Sequence, residues 1–494
     1  MAKRHAIDVD GMDTFRYAPR VAAIAALFTA TGTLSTAALA QDGGFQLADV
    51  PLDLPGHEPA PRPKPAPQPP SAPAKPAASP STDQPADQPA APTPEQPAQP
   101  APEQTGDLSL LERERMTGNW WGVRDSLEEL GLDFNASYTF EWSTVFSGGV
   151  SRRASSRSLF DANLTLDLAK AVGWNGAQVF VDFYSTDGRG GSAEVGDFQG
   201  FSLIETDEND DQVAELWFEQ RLLDDTLRFK LGKIDGAAEF AFINAAGNFS
   251  NASSGFSPTI AALPSYPDPA CGAVVQFIPS ERFYVSAGFF DGAGPVDGVR
   301  TGPRGPETFF SNDESDDWFW IAEVGFGWSL AERREGRGAV GVWHHTGDWA
   351  QFDSADPDNP DTSSNTGVYA LAEQRVHQRE GEAEDSEQGL YVFAQVGWAD
   401  DDVSEAQWHA ALGVTLNGTF DGRDDDSVGV YVSWVGLNED AGYTDDEVVV
   451  ETFYKVQLTP WASVKPDLQV IFNPGGTDDY DTAVVGTLLF EVAF

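Results

Sequence analysis

Two carboxylates, Glu215 and Glu219, flank Trp217 on one short run, and two cations, Arg228 and Lys230, follow on the next. Paired carboxylates suggest glycoside hydrolysis, which needs its two groups about 5 to 9.5 Å apart. Residues four apart on an extended strand stand about 13 Å apart between Cα atoms, so this pair by itself is a poor catalytic dyad, although carboxylates from neighbouring strands could complete one. His344 and His345 look like metal ligands, but adjacent strand residues point to opposite faces, and structural use is the plainer reading. Asp207, Asn209 and Asp211 open like an EF-hand loop, yet Gln212 stands where that loop requires Gly. Cys271 is the single cysteine, so no intrachain disulfide exists; it reads as a lone loop thiol, with intermolecular pairing the lesser alternative. Nothing in the sequence calls for a cofactor. What remains is an acidic and aromatic row, Glu215, Trp217 and Glu219, beside a basic row, Arg228 and Lys230. Lys233, Asp235, Glu451 and Lys455 are further candidates of the same kind. Such rows serve either to contact a passing solute or simply to pair with each other, and both readings stand at this point.

The elements that hold these residues follow from composition and periodicity. The chain has 494 residues with 78 acidic against 30 basic side chains, a formal charge of -48, 41% hydrophobic and 12% aromatic content. That acidity argues against a nucleic-acid partner, because phosphate binding needs clustered Lys and Arg. Lys3, Arg4, Arg16 and Arg20 precede the apolar run Val21 to Leu39, which ends in Ala38-Leu39-Ala40. We read residues 1–40 as a cleaved signal peptide, with a membrane anchor as the alternative that the Thr and Ser of the run argue against. Gln41 rather than Cys follows, so a lipoprotein anchor at this junction is unsupported. Residues 41–106 hold more than half of the 33 prolines and no apolar periodicity, which reads as a Pro-rich disordered periplasmic linker. Residues 107–135 form an N-terminal helical segment and residues 136–494 the body.

In the body no run approaches the roughly 18 to 20 apolar residues of a spanning helix. Strict alternation dominates instead. Tyr138, Phe140 and Trp142 oppose Ser137, Thr139, Glu141 and Ser143; Phe160, Ala162, Leu164 and Leu166 oppose Asp161, Asn163, Thr165 and Asp167. This predicts an all-β fold, a transmembrane antiparallel β-barrel of about 16 strands preceded by a short helix. The predicted strands are 136–146, 159–169, 176–184, 212–220, 226–234, 272–278, 282–290, 318–330, 338–346, 366–378, 388–398, 406–418, 426–436, 446–458, 462–472 and 482–494. Their connections alternate between a mostly short set and a set containing long loops, as the two rims of an outer-membrane barrel do. Two misfits stand out. Pro466 lies inside a predicted strand, where a bulge or a late strand start is expected. Gly486 interrupts the apolar row of the last strand and leaves a weak spot. The loop from Asp235 to Cys271 is expected to fold inward as a constriction, because Phe249, Phe256 and Tyr266 have apolar surface to bury; an external lid is the alternative.

Several stretches resemble the OprB-type carbohydrate-selective porins. They are Gly118-Asn-Trp-Trp-Gly-Val-Arg124, Leu166-Asp-Leu-Ala-Lys170 with Gly173-Trp174-Asn-Gly176, Ala214-Glu-Leu-Trp-Phe-Glu-Gln220, Leu231-Gly-Lys-Ile-Asp235, Tyr369 to Gln374, and Phe453-Tyr-Lys-Val-Gln-Leu-Thr-Pro-Trp461 with Asn473-Pro-Gly-Gly476. That family has Gly where Trp121 stands and Asp where Asn119 stands, so the N-terminal helix is expected to dock in its own way. The resemblance implies a sixteen-stranded channel in the bacterial outer membrane that passes sugars without being an enzyme; if the face that carries the two rows is the lumen, the nine residues above lie on the substrate channel. It implies sugars, outer-membrane lipid, lipopolysaccharide and the barrel assembly machinery as partners, and a homo-oligomer as a further option. Divalent ions bridging the acidic loops to lipopolysaccharide phosphates are weighed against plain solvation of those loops. The alternatives are a general or cation-preferring porin, which the acidity favours, and an exported all-β glycan-binding or hydrolytic protein.

Overall fold

The structure, a computed structural model, describes residues 109–494 apart from 206–208, 312–316, 331–333, 355–359, 379–385 and 421. The signal-peptide and Pro-rich readings lie outside the described residues, as does Asp207 of the EF-like sequence. Sixteen strands form one sheet: β1 (Leu132–Ser147), β2 (Ala154–Asp167), β3 (Ala177–Gly188), β4 (Asp211–Leu222), β5 (Leu227–Ile234), β6 (Ala270–Ser280), β7 (Phe283–Asp291) and β8 (Trp318–Ser329), followed by β9 (Glu335–Ala350), β10 (Thr362–His377), β11 (Gly389–Ala399), β12 (Ala406–Asn417), β13 (Ser427–Leu437), β14 (Glu447–Thr459), β15 (Ala462–Phe472) and β16 (Ala483–Ala493). Each strand pairs antiparallel with its sequence neighbours, and β1 pairs with β16 to close the barrel. Closure leaves no unpaired edge, the condition for strands to cross lipid.

Alternation sorts the side chains. On β1, Ser137, Thr139, Glu141 and Ser143 are buried within the barrel while Tyr138, Trp142 and Phe146 face outward. The same division sets outward Val340 and Val342 against inward Ala339 and Trp343 on β9. All sixteen predicted strands are present, several with extended ends. β2 begins at Ala154 rather than 159, because a strand that rises beyond the lipid layer no longer needs apolar outward residues and so loses its sequence signature. The connections 223–226, 281–282 and 460–461 lie at one rim and 189–210, 235–269 and 292–317 at the other. Two connections at the second rim, 148–153 and 400–405, are also short.

Both predicted weak points have a physical answer. Pro466 causes neither a bulge nor a late start. The ladder to β16 runs unbroken through Pro466↔Leu488, while the ladder to β14 keeps its register but skips from Phe453↔Asp467 to Val456↔Val464. The missing N–H is thus accommodated by opening one side of the strand locally. Gly486 is not a hole, since a Cβ there would lie 2.3 Å from Cε2 of Phe146, whose ring covers the glycine on the outer face.

The N-terminal segment crosses the short-turn rim. Its helix α1 (Val123–Glu129) is preceded by a tight turn in which Trp120 and Trp121 both adopt left-handed backbone, φ 50° and 58°. This conformation costs an L-residue about 1 to 2 kcal/mol, which explains why glycine suits the position that Trp121 occupies. Trp120 packs on Phe134 at 5.7 Å with the Arg124 guanidinium 4.4 Å over its ring. Arg124 is buried and donates to the carbonyls of Phe134 (2.8 Å) and Phe494 (3.1 Å), tying the start of the first strand to the end of the last.

The 235–269 segment runs through the barrel interior, as its aromatic content required. Phe249 packs on Phe453, Tyr431 and Phe393 at 4.9, 5.3 and 5.7 Å. Phe240, Ile243 and Ile260 join it in a buried cluster with Ile321, Trp343 and Tyr369 of the wall. Tyr266 packs against Tyr184 at 5.4 Å.

Gly486→Val is expected to displace the Phe146 ring and lower the unfolding free energy by about 1 to 3 kcal/mol. Urea titration of refolded protein checks this, and the added Phe146→Ala change should make the double variant less unstable than the two single losses summed.

Candidate functional site: the inner wall and its inward loops

The wall of β4 is shaped by a bulge. Asp182 of β3 pairs with Glu215 and Phe183 with Val213, leaving Ala214 as the extra residue. Ala214 and Glu215 both turn inward, and inward alternation continues with Trp217 and Glu219. The acidic and aromatic row predicted from spacing is therefore real, and Glu219 pairs across the ladder with Lys230 of β5. Trp217 stacks on Phe180 of β3 with centroids 4.8 Å apart and 22° between planes. Lys230 Nζ lies 3.8 Å over the Trp217 ring, and the indole Nε1 donates to Glu215 Oε2 at 3.1 Å.

The two cations are held from both sides. Arg228 Nε donates to Glu219 Oε2 at 2.6 Å, and its two terminal nitrogens donate to Glu239 at 2.6 and 2.9 Å. Lys230 also bonds Glu239. Glu239 belongs to the inward segment and was not among the predicted residues. Burial alone would raise its pKa, but Arg228 and Lys230 outweigh burial and draw it down to about 2. It stays ionised, and the clamp stays closed, throughout the ordinary pH range. Gln178 and Arg221 complete the group with bonds of 3.2 and 3.0 Å to Glu219.

Of the remaining candidates, Asp235 touches this group through Glu215. Lys233 Nζ is held by Gln212, the Val213 carbonyl and the Gly302 carbonyl at 3.2, 2.7 and 2.6 Å. Asp235 caps the root of the inward segment, accepting from Ala237 N (2.8 Å) and Tyr266 N (3.3 Å), while its own N–H donates to Glu215. Glu451, on β14, accepts from Ser250 N (2.5 Å) and Asn251 N (3.0 Å) of the same segment. Lys455 pairs with Glu491 of β16 at 3.2 Å. The nine residues therefore form one cluster around Trp217 and Arg228, joined by Asp235 through Glu215, while Lys233, Glu451 and Lys455 make separate attachments.

Glu451 exemplifies a pattern that the sequence reading missed. Glu323 of β8 accepts from Ala241 N at 3.0 Å, and Glu373 of β10 from Ala245 N at 3.0 Å and Asn244 at 2.9 Å. Glu447 of β14 accepts from Phe198 N, Gln199 N and Gly475 N at 2.8, 3.1 and 2.8 Å, holding the 189–210 loop and the 473–482 loop together. His409 bridges Ser257 of the inward segment to Ser433 of β13, each at 3.0 Å. Each of these glutamates sits at an inward position of an alternating strand, the one sequence signal that singles them out.

His345 is buried and bonds the Gly292 carbonyl at 2.8 Å, whereas His344 meets Thr366 at 2.8 Å, so the two histidines do not converge. Among the described residues the carboxylates of Asp400, Asp401 and Asp402 come within 4.8 Å of one another on the 400–405 loop.

A closed sixteen-stranded barrel with an apolar outside, a charged inner wall and two loops drawn into its interior is the architecture of a porin. The chain belongs to the carbohydrate-selective porin OprB family, whose sequence model matches residues 152–494, and is a carbohydrate porin. It is 24% identical over 424 residues to Porin B of Pseudomonas aeruginosa, covering 77% of this chain and 91% of that protein. It is 22% identical over 426 residues to the putative porin QuiX of Acinetobacter baylyi, covering 78% and 94%. The high-pH structure of Pseudomonas putida OprB shares the fold with a TM-score of 0.69 at 22% identity, covering 78% of this chain and 99% of that one.

Glu451→Gln keeps one acceptor but sets an amide NH2 donor where the other oxygen accepted a loop N–H. A loss of about 1.5 to 3 kcal/mol in unfolding free energy is expected, read by urea titration. Asp235 titrates in the opposite sense to Glu239, because burial, and then Glu215 beside it, push its carboxyl up to about 7. Folded protein then holds this proton more tightly than unfolded chain, so the group lowers stability as pH rises from about 4 to about 7. Relative to wild type, Asp235→Asn should gain stability across that interval, on the order of a few kcal/mol, in unfolding curves taken at pH 4.5 and 7.5.

Proposed function

We propose that sugars cross an outer membrane through this barrel by passive diffusion, past the wall segment formed by Phe180, Trp217, Glu219, Arg228, Lys230 and Glu239. The observation that carries the reading is the stacked Phe180–Trp217 pair beside a ring of fixed charges. Pyranose rings present C–H faces that lie on aromatic surfaces, and hydroxyls that trade water for charged hydrogen-bonding groups. Contacts of this kind lower the cost of removing water from the solute while remaining weak enough to release it. No bond is made or broken in such passage, and no energy source is coupled to it. The ionic clamp serves this role by holding its members still, since Arg228 is fixed by two carboxylates rather than free to swing across the lumen.

In this reading the short-turn rim and both chain ends face the periplasm, which is where a cleaved signal peptide and an N-terminal Pro-rich tether would place them. The long loops then face the lipopolysaccharide side. A cation-preferring channel is the second reading, favoured by the charge of -48 and by the many inner-wall carboxylates. Planar-bilayer recordings separate the two. Under the sugar reading, added oligosaccharides reduce conductance in a saturable way, and a conductance that no sugar perturbs leaves only the ion channel. Arg228→Ala is expected to change the half-blocking sugar concentration about 3- to 10-fold, corresponding to roughly 1 kcal/mol, and to increase cation preference. Unchanged single-channel behaviour would remove Arg228 from the pathway.

A further inference from the structure

The turn that enters α1 is built around a feature that the channel does not use. Trp121 stands in left-handed backbone at φ 58° with 97% of its surface exposed. Bulky side chains in that conformation are rare and mark sites where another requirement outweighs the local cost. Its neighbour Trp120 shows where the turn sits. Trp120 packs on Phe134, and Phe134 pairs with Leu164, an exposed residue of the outward apolar face. The turn therefore lies against the outer wall of the barrel at the short-turn rim, continuous with the surface that faces lipid. Val123 and Leu130 of the same segment are also more than half exposed, at 52% and 61%.

We propose that Trp121 is a membrane-interface anchor, seated among the phospholipid headgroups of the periplasmic leaflet and fixing the N-terminal segment to the lipid surface. Indole suits this place because it presents a large apolar face together with an N–H that remains hydrated, the combination that concentrates Trp at the boundary between acyl chains and water. The left-handed turn aims the ring away from the protein, where the only large apolar phase adjoining the barrel wall is the bilayer. Helix α1, with seven residues, is too short to be held by propensity alone, and a seated indole beside the Arg124 tie would give it a second attachment. The proposal rests on the periplasmic orientation of this rim given above.

The test uses the full chain reconstituted in phosphatidylethanolamine and phosphatidylglycerol vesicles. With Cys271→Ser and Trp121→Cys, an environment-sensitive fluorophore is attached at position 121, and a second sample carries it at position 164 through Leu164→Cys as a lipid-facing control. The label at 121 is expected to be quenched about twofold more by a nitroxide on the upper acyl chain than by aqueous iodide. Stronger quenching by iodide, with the control still quenched by lipid, overturns the anchor while leaving the barrel intact. Loss of lipid quenching at both positions would instead sink the membrane reading itself. Removal of residues 41–106 should leave the result unchanged; a shift of the label's emission on removal would assign Trp121 to the Pro-rich segment and overturn the lipid assignment. Should the labelled protein fail to fold, Trp121→Phe read against wild type with brominated lipids replaces it. The quenched share of tryptophan emission is expected to fall, and an unchanged share counts against the anchor.

Discussion

A segment of chain drawn into the interior of a closed barrel must find acceptors for its backbone N–H groups, because the strands around it have already spent theirs on one another. The 189–210 and 235–269 loops carry little regular structure of their own and cannot satisfy themselves as a helix does. Carboxyl groups on the inner wall solve this, since each offers two oxygens with several acceptor sites and can take two neighbouring amides at once. Glu451 does so for Ser250 and Asn251, and Glu447 for Phe198 and Gln199; within the 189–210 loop Glu205 plays the same part for Gly191 and Ser192. The rest of the lumen follows from these attachments. They place Phe249 in its aromatic socket and bring Glu239 to the two cations of β5.

This gives the acidity of the chain a structural cause besides solvation of its loops. An inner wall lined with apolar residues would leave the loop amides without partners, and one lined with lysines would offer only further donors. Acids are the residue type that matches a donor-rich insert. Four inward cations, Arg157, Arg228, Lys230 and Arg337, stand in contact with a carboxylate, with partners Glu141, Glu219, Glu239 and Glu373, while Lys233 and Lys465 instead donate to backbone carbonyls of the inward loops and their surroundings.

Much of the fold was legible because its rule is local. Alternation at period two is written in each strand separately, and sixteen strands could be read without knowing how they pair. The inward course of 235–269 was legible for a similar reason, since aromatics such as Phe249, Phe256 and Tyr266 in one loop need a place to go. The site was legible only in part. Glu215, Trp217, Glu219, Arg228 and Lys230 follow from adjacent strands, whereas Glu239 reaches them only through the path of the loop, which no periodicity records. Glu323, Glu373 and Glu447 were hidden differently, because the sequence shows that they face inward but not that a loop amide awaits them. Pro466 teaches the same lesson from the other side: the sequence showed a missing donor, and only the pairing showed which neighbour does without it.

Arg124 has a consequence for how the barrel comes into being. Its guanidinium addresses two carbonyls, on Phe134 and Phe494, that are separated by nearly the whole of the sheet in sequence and adjacent only across the seam between β1 and β16. An unrolled sheet offers the first acceptor but not the second. The N-terminal segment thus completes its own docking only when Phe494 has arrived beside it, so a single side chain distinguishes a finished ring from an open ribbon.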